Sequence, residues 1–198
     1  MKKVISILSI AALAAAVFSC GQVSGDVKVN TTAGNQEELV KRGEYLVTIG
    51  GCHDCHSPKK MTEFGPVPDP DLLLSGHPAQ MPVGPFDTVT TKSWVLFNMM
   101  NTAAAGPWGV SFSANLTSDA TGIGNWTEDQ FKRAITQGKY KGLAEGRPML
   151  PPMPWPNLVN MKDEDIKAMF VYLKSTKPIR NVVPAPVSPA DLGKYVVK

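Results

Sequence analysis

Residues 52–56, Cys52-His53-Asp54-Cys55-His56, govern how the rest of this chain is read. Two cysteines three positions apart, with a histidine directly after the second, form C-x-x-C-H, the signature for covalent attachment of a haem. On a helical turn residues i and i+3 share a face, so both sulfurs can reach the two vinyl groups on one porphyrin edge. His56, next in line, is then placed beneath the ring as the proximal ligand to iron. Three other readings compete and are weaker. A thioredoxin-like C-x-x-C calls for a preceding strand in a βαβ setting, and here an amphipathic helix pattern precedes Cys52. A zinc site needs four well-spaced ligands, with only His53 and His77 left to complete it. A structural disulfide gives His56 no role. The expected cofactor is therefore one covalent haem c on Cys52, Cys55 and His56, with His53 facing solvent.

Upstream of the motif, Asn35 can cap a helix whose first turn carries Glu37 and Glu38, favourable near the positive end of the dipole. Leu39, Gly43, Leu46, Val47 and Gly50 fall on one face of that helix, and Gly50-Gly51 ends it before the cysteines. A glycine inside a helix costs about 1 kcal/mol against alanine, so Gly43 suggests close approach by another element. Residues 20–34 read as a flexible tether. Lys2 and Lys3 followed by the apolar run Val4 to Phe18 have the pattern of a secretory signal over residues 1–19. Such a run is shorter than the roughly 20 residues of a spanning helix. Val17-Phe18-Ser19-Cys20 resembles the lipobox of bacterial lipoproteins, so Cys20 is the expected lipidation site and membrane anchor, on the periplasmic side. The cysteine count of three then leaves no spare thiol in an oxidising compartment. The formal charge of +3 falls when Lys2 and Lys3 leave with the signal, which gives no reason to expect a nucleic-acid partner.

Downstream, residues 57–125 form a long Pro- and Gly-rich insert. Short strands are expected there at Thr88–Thr91 and Trp94–Phe97. Thr127 and Gln130 spell a capping box, Trp126 can staple onto Phe131, and Gly138 stops the helix. A third helix begins near Asp163, with Ile166, Met169, Phe170 and Leu173 as its apolar stripe, and ends before Pro178. The tail from Lys177 carries too many prolines for a helix and should run extended over the surface. The expected architecture is all-α, about three main helices around one haem, with a domain over residues 35–180 and a Pro-rich tail over 181–198.

The second axial ligand is open among the methionines. Met169 lies on an apolar helix face and Met161 flanks it, while Met61, Met99 and Met100 have no distinguishing context. Met81, Met149 and Met153 each adjoin proline. Met153 stands out within Pro151-Pro152-Met153-Pro154-Trp155-Pro156, where four prolines stiffen the loop and remove backbone donors. A proline-rich surface loop with methionine as filler is the plainer reading.

Together, Cys52 to His56, Ala114 to Asp119 with Thr121 to Trp126, and Pro152-Met153-Pro154-Trp155 resemble successive motifs of class I c-type cytochromes. Similar modules occur in cytochrome subunits of periplasmic dehydrogenases, which often carry several C-x-x-C-H motifs where this chain has one. The resemblance covers about residues 36–180. It implies the class I cytochrome c fold and Met153 as the distal ligand. It further implies a helix crossing at Gly43 with Phe170 or Tyr172, and a carbonyl from Gly65-Pro66 on the proximal histidine. The function implied is one-electron transfer between a redox-protein donor and acceptor. The competing class is a haem enzyme or ligand sensor with an open distal iron site.

Overall fold

The computed structural model describes residues 33–195. The expected signal, Cys20 and nearly all of the tether lie outside the described residues. Helix α1 (Ala33–Ile49) starts two residues before the expected Asn35 cap, and α2 (Cys52–His56) follows it after a two-glycine turn. Helices α3 (Glu128–Gln137) and α4 (Asp163–Ser175) complete the helical part.

Helices α3 and α4 form where the sequence places them. Thr127 Oγ1 accepts from the Gln130 amide at 3.2 Å, and the Gln130 side chain accepts from the Thr127 amide at 2.9 Å, closing the capping box of α3. Gly138, at φ 63°, ends it in the left-handed conformation that glycine adopts freely. In α4 the stripe buries Ile166, Met169 and Leu173 against Leu46 and Val47 of α1 and Phe131 and Ile135 of α3. Ile166 and Leu173 are each 1 % exposed, which is worth about 1.5–3 kcal/mol apiece. Phe170 packs beside Phe131 with the rings tilted by 35° and centroids 5.6 Å apart. Helices α1 and α4 cross at Gly43: a Cβ there would lie 2.0 Å from the Ala168 carbonyl oxygen and 2.6 Å from Tyr172 Cβ. Tyr172, rather than Phe170, is the aromatic at the crossing.

The all-α expectation is wrong. The fold is mixed, with two small antiparallel sheets built from the insert. One is a hairpin, β1 (Lys59–Thr62) with β2 (Gly65–Pro68). The other has strand order β3 (Leu96–Phe97), β4 (Ala103–Gly106), β5 (Gly109–Phe112). Only Leu96 and Phe97 of the expected strands are in a sheet; Thr90–Lys92 is a 3-10 turn preceded by Asp87, whose Oδ1 accepts from the Val89 amide. The alanines of β4 have low strand propensity, and burial of the whole strand overrides it.

From Lys177 the tail forms neither helix nor strand until it closes in a 3-10 turn over Pro189–Tyr195. Val187 exchanges both backbone hydrogen bonds with Val110 at 2.9 Å and so covers the open edge of β5. Gly109, at φ 95°, leaves room for that pairing, since a Cβ would meet the Val187 carbonyl oxygen at 2.0 Å.

Candidate haem site

Gly51, at φ 67°, turns the chain sharply between α1 and α2, so the C-x-x-C-H segment opens directly on the end of a core helix. Cys52 packs against the apolar cluster, and burial raises its thiol pKa to about 11; burial raises that of Cys55 as well. Both are free thiols. Sulfurs whose pKa is raised make poor redox thiols of the thioredoxin kind, which depend on a lowered pKa. Among the described residues no three His, Cys, Asp or Glu side chains gather into a metal-holding group, which leaves the zinc reading without a site.

His56 Nδ1 lies 2.8 Å from the Ala114 carbonyl oxygen. A carbonyl only accepts, so Nδ1 carries the proton and Nε2 carries the lone pair. Burial is the main influence lowering the His56 pKa, opposed by this hydrogen bond, so the neutral, metal-binding form is favoured. The residues thus fit a haem: two thiols on one five-residue helix, followed by an imidazole whose tautomer and ring plane are fixed from behind.

The carbonyl behind His56 is Ala114, and not one from Gly65-Pro66, which form the start of β2. Ala114 is brought there by a run of cross-chain bonds. Gly76 N donates to His56 O at 2.8 Å, His77 N to Ser113 O at 2.9 Å, and Leu116 N to Leu74 O at 2.8 Å. Gly76, at φ 77°, lets the two segments close up, because a Cβ would lie 2.5 Å from the Ser113 carbonyl oxygen. The next residue, Asn115, is 4 % exposed and holds the loop in shape. Its Oδ1 accepts from the Thr117 amide and hydroxyl at 2.9 and 2.7 Å, while its Nδ2 donates to Ile179 O at 2.8 Å in the tail.

His53 is not simply solvent-facing. It is half-buried, with Nδ1 2.9 Å from Ser57 Oγ. Lys59 donates from its ammonium to the carbonyls of His53, Asp54 and Ser57 at 3.0, 2.9 and 2.5 Å, capping the C-terminal end of α2. His77 is fully buried and satisfied: Nε2 donates to Met81 O at 3.1 Å and Nδ1 accepts from Thr102 Oγ1 at 2.9 Å.

Met153 is half-buried in a loop pinned on both sides. Before it, Pro151 O accepts from Ser111 Oγ at 2.6 Å. After it, the Trp155 ring covers Gly138, where a Cβ would come within 2.3 Å of the indole. Met61 and Met99 are 64 % and 78 % exposed, and Met169 is in the core. Ser111 and Ala114 lie three residues apart on one run of chain, so the Cα atoms of the residues that hold the Met153 loop and His56 are at most about 11 Å apart.

No protein-family model matches the chain. It is 31 % identical over 137 residues to the gluconate 2-dehydrogenase cytochrome c subunit of Pantoea cypripedii, covering 69 % of this chain and 23 % of that one. It is 29 % identical over 145 residues to the cytochrome c subunit of the quinone alcohol dehydrogenase of Gluconobacter oxydans strain 621H, covering 72 % and 23 %. To the fructose dehydrogenase cytochrome subunit of Gluconobacter japonicus it is 26 % identical over 151 residues, covering 75 % and 24 %. The chain spans about a quarter of the length of these curated relatives. Over that segment it is similar to the cytochrome c subunits of these dehydrogenases.

Proposed function

We propose that this chain is a one-electron carrier that holds a single covalent haem c and passes electrons from a donor redox protein to an acceptor. The observation that carries the reading is the His56 imidazole, fixed with its lone pair on Nε2 by the Ala114 carbonyl, beside two half-buried free thiols on the same short helix. Cys52 and Cys55 would form the thioethers, His56 the proximal ligand and Met153 the distal one. When bound, the haem supplies a one-electron Fe(II)/Fe(III) couple. The protein supplies ligation, burial and a docking face.

The relatives named above are subunits of dehydrogenases, which supports a dehydrogenase as the electron donor here. Export by the N-terminal signal and a lipid on Cys20 would place the carrier at the periplasmic side of a membrane. The carrier is an electron-transfer component and not itself the oxidising enzyme.

The direct test is expression with export and haem maturation intact. The protein should keep its haem in a denaturing gel stained for peroxidase activity, and Cys52→Ala with Cys55→Ala should lose that stain. The ferric protein should be low-spin and show the weak far-red band of methionine ligation, which Met153→Ala should abolish while lowering the reduction potential. A haem that acid acetone extracts from the unaltered protein overturns covalent attachment. A ferric spectrum without the band, with ready carbon monoxide binding in the ferrous form, moves the open-site reading ahead.

A further inference from the structure

The Met153 loop has few backbone donors of its own with which to fasten itself, because Pro151, Pro152, Pro154 and Pro156 have no N–H. A loop of this kind has to be held by donors from outside it. Next to it lies such a donor. Ser111 in β5 is 9 % exposed, and its hydroxyl points to Pro151 O at 2.6 Å, with a longer approach to Ala104 O at 3.4 Å. The indole Nε1 of Trp108 donates to the same hydroxyl at 3.2 Å. A serine hydroxyl has a single proton, and with the Trp108 donor occupying its oxygen that proton goes to the nearer carbonyl, that of Pro151.

We propose that Ser111 is a positioning residue for the distal ligand, holding the Met153 loop at a set distance from the His56 anchor through the Trp108–Ser111–Pro151 chain of hydrogen bonds. The inference rests on the reading of Met153 as the distal ligand. Its physical content is that both ligands are referred to one piece of backbone. Ala114 holds His56 from one end of residues 111–114, and Ser111 holds the Met153 loop from the other. The β4–β5 pairing, with Ala104 opposite Ser111 and Ala103 opposite Phe112, keeps that piece extended. Two ligands fastened to a common strand keep their separation when the irregular chain around them moves.

The test uses the full-length, haem-loaded protein. Ser111→Ala should weaken the ferric far-red band and raise carbon monoxide association to the ferrous form about fivefold, the size of one lost neutral hydrogen bond. Ser111→Thr keeps the hydroxyl on a strand that favours β-branching, and should preserve both readings. Trp108→Phe removes only the indole donor and should shift both in the direction of Ser111→Ala, by less; it serves if the alanine variant fails to fold. The proposal is overturned if Ser111→Ala, or Trp108→Phe in its place, leaves band and association rate unchanged while Met153→Ala abolishes the band. It is equally overturned if Ser111→Thr loses the band as fully as Ser111→Ala. If Met153→Ala itself leaves the wild-type band intact, the distal assignment has failed, and this inference with it.

Discussion

The helical part and the insert solve the same burial problem with opposite chemistry. The apolar core cluster is drawn mainly from α1, α3 and α4, with Leu74 and Ile123 joining from the insert. The buried polar side chains, Ser57, Ser75, His77, Thr91, Thr102, Ser111, Asn115 and Thr117, all lie between residues 57 and 117. A helix satisfies its own backbone and can therefore bury an apolar face directly. Irregular chain cannot, so each buried N–H and C=O has to be met by a side chain or by another strand. Among the described residues no buried side-chain nitrogen or oxygen is left without a partner. The lesson is a division of labour: apolar packing gives the helical part its stability, and the hydrogen-bonded insert sets the positions of His56 and Met153.

The largest expected effect tests the helical side. Gly43→Leu drives a side chain into the backbone carbonyl of Ala168, which cannot step aside, and should cost about 3 kcal/mol in chemical denaturation. Its ferric spectrum should be that of the wild type. A changed spectrum would mean that the helix crossing also sets ligand geometry, and the division would break.

Asn115→Ala probes the other side. It removes acceptors and donors that are buried between Thr117 and Ile179, at about 2 kcal/mol. Because Ala114 is the neighbouring residue, the loss should also shift the low-spin spectrum. If stability falls and the spectrum holds, the insert is merely a second core.

Thr127→Ala sharpens the contrast more gently. Without its capping box α3 should lose about 1 kcal/mol, read as a lower denaturation midpoint with no spectroscopic change.

The smallest effect is a pH dependence. Hydrogen bonds from the Thr121 hydroxyl and amide hold the Asp119 carboxyl below its ordinary 3.8. The folded form therefore binds this proton less readily than the unfolded one. Its contribution is complete above the unfolded value and is lost as pH falls through the folded value, below about pH 4. Asp119→Asn should flatten that acid limb in a pH series of denaturation midpoints.

What the sequence determined by itself was local. The C-x-x-C-H turn, the capping box at Thr127, the stop at Gly138 and the stripe of α4 each depend on residues within one or two turns of each other. Gly43 was legible because a glycine is costly inside a helix unless something comes close. The sheets were hidden, because Ala103–Gly106 pairs with Gly109–Phe112 on account of burial and not of strand propensity. Ala114 was hidden for another reason. The group that orients His56 is a backbone carbonyl, alike in every residue, and it lies 58 positions along the chain. Ser111 and the tail at Ile179 and Val187 act in the same way, through backbone groups far off in sequence. Side-chain chemistry at short range was readable from the sequence. Which carbonyl meets which donor was decided by the tertiary structure, since only the folded chain brings them within hydrogen-bond distance.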